Sequence, residues 1–350
     1  VEKSAIGDVY ENNILIKKSQ NRQDILCPYY DKCGGCNLLH LIEKSYHDFK
    51  SKLCKTDNVI KIGFNTRQKV RFQIKNKKTG LFEKGTHNFI EIKNCLLLRP
   101  EINNIIHKLN FKANEIEVSV YDNGIGVYLL KNKEPIENLQ KFLDENKEII
   151  IVSYQNEMGT FFLQKQKPIV DLYGEKIEVK ENIFLQATKE GQNAITEIII
   201  ENLKNFNNII DLYCGIGTYT FPLSNYARIH SVEGSNIMID IIKNNIKNRK
   251  ITTEVRDLVK QPLLAKDFTK FDGVIINPPR SGANKQCQYL INSNIKKIVM
   301  VSCNPQTFWQ DIETLKQKYH LEKVIGIDQF YATNHLEIIG ILSIKNFKKN

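Results

Sequence analysis

No apolar run in this 350-residue chain approaches the roughly 20 residues that a membrane-spanning helix requires. The start, Val1-Glu2-Lys3-Ser4, leads into a polar stretch without the apolar core of a signal peptide. There is no internal repeat and no low-complexity linker. Nor are the eight cysteines spaced like the disulfide pairs of a secreted domain. These absences exclude a helical membrane protein and a small disulfide scaffold, and they point to a soluble cytoplasmic protein.

What is present is globular. Hydrophobic residues make up 41% and charged residues 25%, and the length suits about two domains. The net charge of +11 suits a polyanionic partner, because Lys and Arg bind nucleic acid by neutralising phosphates. The heavy use of Lys, Asn and Ile weakens that inference, since a drift in composition adds Lys without function.

The two halves of the chain differ. From residue 176 onward, apolar runs at Asn208–Tyr213, Ile229–Val232, Thr253–Val255, Gly273–Ile276 and Lys297–Val301 alternate with helical patterns such as Asn236–Asn248 and Pro305–Tyr319. Such alternation predicts an α/β fold with a doubly wound parallel sheet. The runs Lys323–Ile327 and Leu336–Ile344 add an antiparallel hairpin at one edge. Residues 1–175 read instead as an α+β domain, mainly antiparallel, with strand pieces at Lys69–Lys75, Ile116–Tyr121 and Gly126–Leu130. Turns are expected at Lys78-Thr79-Gly80 and Asp122-Asn123-Gly124.

The chemistry concentrates in a few segments. Asp211-Leu212-Tyr213-Cys214-Gly215-Ile216-Gly217-Thr218 lies between a strand and a helix, and its glycines allow the backbone to turn sharply beside a ligand. Glu233, 22 residues after Asp211, is placed to accept both hydroxyls of a ribose. The third glycine of a dinucleotide fingerprint is missing, since Thr220 stands there. That argues against NAD and for a cofactor without a pyrophosphate, such as S-adenosylmethionine. Asn277-Pro278-Pro279-Arg280 and Ser302-Cys303-Asn304-Pro305 end two further strands, so Asn277 and Cys303 share a crevice with Gly215 and Glu233. Arg280, in place of an aromatic residue that would stack on a base, disfavours methylation of an exocyclic nitrogen. Cys303 precedes a helix begun by proline, where the helix dipole lowers a thiol pKa, and it reads as a nucleophile.

These motifs resemble those of the bacterial RNA 5-methyluridine (uridine-C5) methyltransferases, more specifically the iron–sulfur-containing 23S rRNA type. Phe184-Leu185-Gln186 and His335-Leu336-Glu337 complete the set, and the likeness runs from about Cys27 to the C-terminus. The resemblance implies a class I S-adenosylmethionine-dependent methyltransferase domain over residues 176–350. It implies Gln186, Tyr213, Glu233 and Asn277 as cofactor contacts, with Thr218 and Asp257 as further ones. It also implies Cys303 as nucleophile and Glu337 as base. Asn277 stands where many members have Asp. Without the family pattern, Glu337 reads as a surface acid on an edge strand. The runner-up readings are an RNA cytosine-C5 or adenine methyltransferase, and a non-catalytic iron–sulfur RNA-binding protein.

Cys27, Cys33, Cys36 and Cys95 have metal-ligand spacing, for which zinc is the generic occupant. The resemblance implies a 4Fe–4S cluster instead. Cys54 and Cys287 read as packing residues, and Cys214 as packing against the cofactor. The segment Arg67-Gln68-Lys69-Val70-Arg71-Phe72 is expected to touch the RNA backbone. Only 26 residues precede Cys27, too few for the complete RNA-binding barrel with which many members begin. The expected partner is rRNA, in preference to tRNA, and the expected state a monomer.

Overall fold

The computed structural model describes residues 4–11, 14–180, 182–247 and 249–345. The Val1-Glu2-Lys3 start and residue 248, the expected end of one helix, lie outside the described residues. The C-terminal half forms an eight-stranded sheet. Its spatial order is Ile251–Val255, Arg228–Glu233, Asn208–Leu212, Gly273–Ile276, Lys297–Ser302, Glu337–Ile344, Tyr319–Asp328 and Val59–Lys61. The first five are mutually parallel.

These strands are apolar on both faces because helices cover both. Ile209, Ile275 and Val299 point to one face, against Ile195 and Ile199 of helix Lys189–Leu203 and Ile239 and Ile242 of helix Asn236–Asn245. Ile210, Val274 and Ile298 point to the other, against Cys287 of helix Asn284–Leu290 and Phe308 and Ile312 of helix Pro305–Leu315. The strand period of two thus feeds two separate cores. The expected doubly wound α/β fold is present.

Two details depart from expectation. The C-terminal hairpin is antiparallel but does not form the edge. Glu337–Ile344 inserts beside Lys297–Ser302, and Val59–Lys61, contributed by the N-terminal half, pairs parallel with Tyr319–Asp328 outside it. A three-residue strand far away in sequence gives no periodic signal. The turn expected at Lys78-Thr79-Gly80 falls two residues earlier. Asn76 and Lys77 take φ of 52° and 60°, a two-residue hairpin turn, and Lys78–Phe82 is strand. Gly80 serves the sheet instead, since a Cβ there would lie 2.2 Å from the Ile90 carbonyl oxygen.

The N-terminal half holds a seven-stranded sheet ordered Gly159–Gln164, Ile149–Asn156, Gly124–Leu130, Glu115–Tyr121, Lys69–Lys75, Lys78–Phe82 and Phe89–Glu91. All its pairings are antiparallel except that between Gly124–Leu130 and Ile149–Asn156. Residue 176 falls inside the hairpin Ile169–Leu172/Glu175–Glu178, whose Val170, Leu172 and Ile177 join the core of the C-terminal half. Among the described residues, no helix is long and apolar enough to cross a membrane.

Candidate active site

The carboxyl ends of the parallel strands open on a cavity of about 490 Å³. It is lined by Gln186, Tyr213, Thr218, Glu233, Asp257, Asn277, Cys303 and Glu337, together with Arg280 and Phe184. Every cofactor and catalytic residue expected from sequence therefore meets in one place.

The loop after Asn208–Leu212 is shaped by left-handed backbone, with φ of 61° at Tyr213, 58° at Gly215 and 86° at Gly217. At Gly217 a Cβ would also lie 2.9 Å from the Phe221 ring. Glu233 is held by the backbone: the Gly215 and Ser235 amides donate to its two oxygens at 3.1 and 3.0 Å. Asp211 does not line the cavity. It is fully buried, accepts a bond from the Thr220 hydroxyl at 2.6 Å, and burial pushes its carboxyl up to about 7. It braces the loop from beneath. Cys214 lines the cavity as a buried, strongly protonated thiol. Asp257 is half-exposed and pairs with Lys260 at 3.2 Å.

Cys303 is half-buried, directly before helix Pro305–Leu315. The expected lowering of its pKa is not found. Burial and then the neighbouring Glu337 charge push the thiol above its ordinary value, and a bond with Arg280 pulls the other way. Arg280 is the group that favours the thiolate, and sequence reasoning used it only as an argument against nitrogen methylation. Its carbonyl accepts from the Asn304 amide at 2.9 Å, which ties it to the cap of the same helix.

Glu337 is no edge-strand surface acid. It opens an inner strand, is 7% exposed, and burial pushes its carboxyl up to about 7. Arg280 and a bond from Gln329 draw it down. A carboxylate with that pKa is suited to accepting a proton near neutrality.

A second cavity, about 370 Å³, is lined by Cys27, Cys33, Cys36 and Cys95 with Arg67, Thr333 and His335. Burial and then neighbouring cysteines push Cys36 up to about 12 and raise Cys95 as well. Among the described residues, no three or more His, Cys, Asp or Glu side chains are gathered so as to hold a metal ion. Cys54 and Cys287 are fully buried, as expected of packing residues.

The segment expected to face RNA spends most of its polarity internally. Arg67 faces the cysteines, Gln68 donates to the Gln186 carbonyl at 2.9 Å, and Lys69 reaches the Ile183 carbonyl at 2.9 Å and Glu117 at 2.7 Å. Phe72 is core. Arg71 alone stays half-exposed, paired with Glu117 at 3.0 Å. Alternating charge along a strand cannot reveal that a second layer covers it.

Helix Glu43–Cys54 clamps the loop that leads to Glu337. The buried Lys50 ammonium donates to Asp328 at 2.6 Å and to the His335 carbonyl at 2.7 Å. The Tyr46 hydroxyl donates to Asp328 at 2.5 Å and accepts from the Ala332 amide at 2.9 Å.

The chain is similar to several known proteins. The chain is 29% identical to the 23S rRNA (uracil(1939)-C(5))-methyltransferase RlmD of Shewanella halifaxensis, over 94% of this chain and 84% of that one. It is 27% identical to an uncharacterized RNA methyltransferase of Agrobacterium fabrum, over 94% of this chain and 88% of that one. The fold matches the tRNA (uracil-54, C5)-methyltransferase of Pyrococcus abyssi, solved in complex with S-adenosyl-L-homocysteine. The TM-score is 0.79 at 19% identity, covering 97% of this chain and 94% of the other. Residues 157–346, more than half of the chain, fit the sequence profile of the tRNA (uracil-5-)-methyltransferases. With the fold and the cavity already described, the chain belongs to that family, the S-adenosylmethionine-dependent RNA uracil-C5 methyltransferases.

Proposed function

We propose that the chain methylates C5 of one uridine in 23S rRNA through a covalent bond between Cys303 and C6 of the base. The observation that carries this is the convergence of Cys303, Glu337 and the loop residues on one cavity. S-adenosylmethionine supplies an electrophilic methyl group, and Gln186, Tyr213, Thr218, Glu233, Asp257 and Asn277 would hold it. Glu233, fixed by two amides, suits ribose hydroxyls. Asn277 serves through its amide, with less negative charge than Asp.

Uracil C5 is too weak a nucleophile to take a methyl group directly. The Cys303 thiolate, favoured by Arg280, adds to C6 and leaves an enolate with electron density at C5. After C5 is methylated, Glu337 removes its proton, the C5–C6 double bond reforms and the C6–S bond breaks, returning the thiolate. The target base must leave its stack to reach Cys303.

The RlmD relative supports 23S rRNA as substrate over tRNA. Cys27, Cys33, Cys36 and Cys95 are read as ligands of a 4Fe–4S cluster. Arg67, which lines the same cavity, would offset the negative charge of four thiolates. Four protein thiolates would leave no iron open, so such a cluster would be structural. Residues 1–175 then carry the cluster and RNA-facing surface and residues 176–350 most of the chemistry, in a monomer working on RNA in the cytoplasm. Nucleoside mass spectrometry of 23S rRNA and tRNA from cells with and without the gene tests the reading. Loss of one 5-methyluridine from 23S rRNA is expected. Loss from tRNA overturns the substrate, and no loss overturns the activity.

A further inference from the structure

Gln329 is almost fully buried, between the cofactor side and the base side of the catalytic cavity. Its side-chain nitrogen donates to Gln186 Oε1 at 3.1 Å and to Glu337 Oε1 at 3.3 Å. One NH2 group thus spends its two protons on two residues of the site. Facing an ionised Glu337, which can only accept, the amide presents its NH2 rather than its oxygen. Its own oxygen, Gln329 Oε1, is buried with no hydrogen-bond partner among the described residues.

The backbone makes room for it. A Cβ on Gly191, in the first turn of helix Lys189–Leu203, would lie 2.7 Å from Gln329 Cβ and 2.9 Å from Gln329 Oε1. The loop after Gln329 is pinned by Lys50 and Tyr46, which hold Asp328 on one side and the Ala332 amide and His335 carbonyl on the other.

We propose that Gln329 is a positioning residue that couples the two halves of the reaction, orienting Gln186 toward the cofactor and Glu337 toward the C5 proton. Because the amide holds Glu337 Oε1, the other oxygen is left to take the proton. Because it holds Gln186 Oε1, the Gln186 NH2 is presented to the cavity and to the Tyr219 hydroxyl, 3.4 Å away. The assignment rests on Glu337 being the base. The charged and titratable groups facing Glu337 are Arg280, after strand Gly273–Ile276, Cys303, after strand Lys297–Ser302, and Tyr219, in the cofactor loop. Of these, Tyr219 also meets Gln186, whereas Gln329 hydrogen-bonds to both Gln186 and Glu337.

The test is Gln329→Met, which keeps the side-chain length and removes both donors. Three readouts are taken: S-adenosylmethionine affinity by calorimetry, the pH profile of adduct resolution, and lifetime of the protein–RNA adduct at neutral pH. Losing the donors should weaken cofactor binding by about tenfold. It should move the acid limb upward by about one pH unit, because the bond lowers the Glu337 pKa. The adduct should also persist longer. Gly191→Ala crowds Gln329 and also the Thr188 hydroxyl that caps the same helix; in folded protein it should give the same three shifts, and the double variant should be no worse than either alone. Unchanged affinity and pH profile in folded Gln329→Met overturns the proposal. Glu337→Gln, run in parallel, separates the two claims: normal turnover there removes Glu337 as base, whatever Gln329 does.

Discussion

The cysteine cavity is lined by the loop of residues 329–336 and the catalytic cavity by Glu337, which follows it, yet the two are built in opposite ways. The catalytic cavity sits at the ends of hydrogen-bonded strands, and its side chains are already held by backbone amides and neighbouring side chains. Around the cysteine cavity, residues 27–36 run through turns with no helix or extended strand, and Cys95 lies in a loop. Its apolar support is a small cluster of Tyr30, Leu39, Leu97 and Ala332. The difference is instructive: parallel strands preorganise chemistry without a ligand, whereas a loop-built cysteine site would need one to fix its geometry. The loop links them, with Gln329 and Glu337 at its ends toward the reaction and Thr333 and His335 facing the cysteines.

The largest effect expected from breaking one side is that of Cys303→Ala. Methyl transfer should fall by more than about 10³-fold while S-adenosylmethionine affinity stays within about twofold, because the thiol acts on the base. A radiolabelled methyl assay and calorimetry check both; activity near that of the parent removes Cys303 from the mechanism. Lys50→Met strikes the link instead. It leaves Asp328 buried without its cation, and denaturant unfolding should show a loss of about 3–5 kcal/mol. Breaking the other side, Cys36→Ser should turn the brown colour of anaerobically purified protein pale, lower the melting temperature by several degrees, and leave cofactor affinity largely intact. A colourless parent protein with stoichiometric zinc overturns the iron–sulfur reading. A large loss of cofactor affinity shows that the two cavities are not separately built.

The pH dependence of catalysis sharpens the account of the first cavity. Glu337 is raised to about 7 in the folded protein, so its base form is lost as pH falls through that value. Adduct resolution should slow about tenfold per unit below pH ~7. The raised Cys303 thiol adds a further rise in rate on the alkaline side. The smallest effect belongs to Arg71→Gln. A half-exposed ion pair should be worth no more than about 1 kcal/mol, which thermal unfolding can check.

The sequence was most legible where chemistry follows backbone order. The loop from Asp211 to Thr218, the strand ends at Asn277 and Cys303, and the acid Glu233 could be placed because carboxyl ends of parallel strands always face the same crevice. Long-range pairing was not legible. Val59–Lys61 joins a sheet some 260 residues further along the chain, and its three residues carry no pattern. The polarity of Arg67, Gln68 and Lys69 looked external because strand periodicity does not report a second layer. Gln329 had no local signal, since its role exists only where the hairpin brings it back beside Glu337 and across from Gln186. The pKa of Cys303 was misjudged because a helix terminus was weighed and a buried carboxylate across the cavity was not.

The most direct test of the central claim, that Cys303 and Glu337 act on one base from one cavity, is a denaturing gel of Glu337→Gln incubated with RNA and S-adenosylmethionine. Glutamine keeps the side-chain size but cannot take the C5 proton. Addition and methylation should proceed, elimination should stall, and a slow-migrating protein–RNA adduct should accumulate. That adduct should require S-adenosylmethionine and vanish when Cys303→Ala is added. Normal turnover with no adduct would contradict the account and assign the proton to another group.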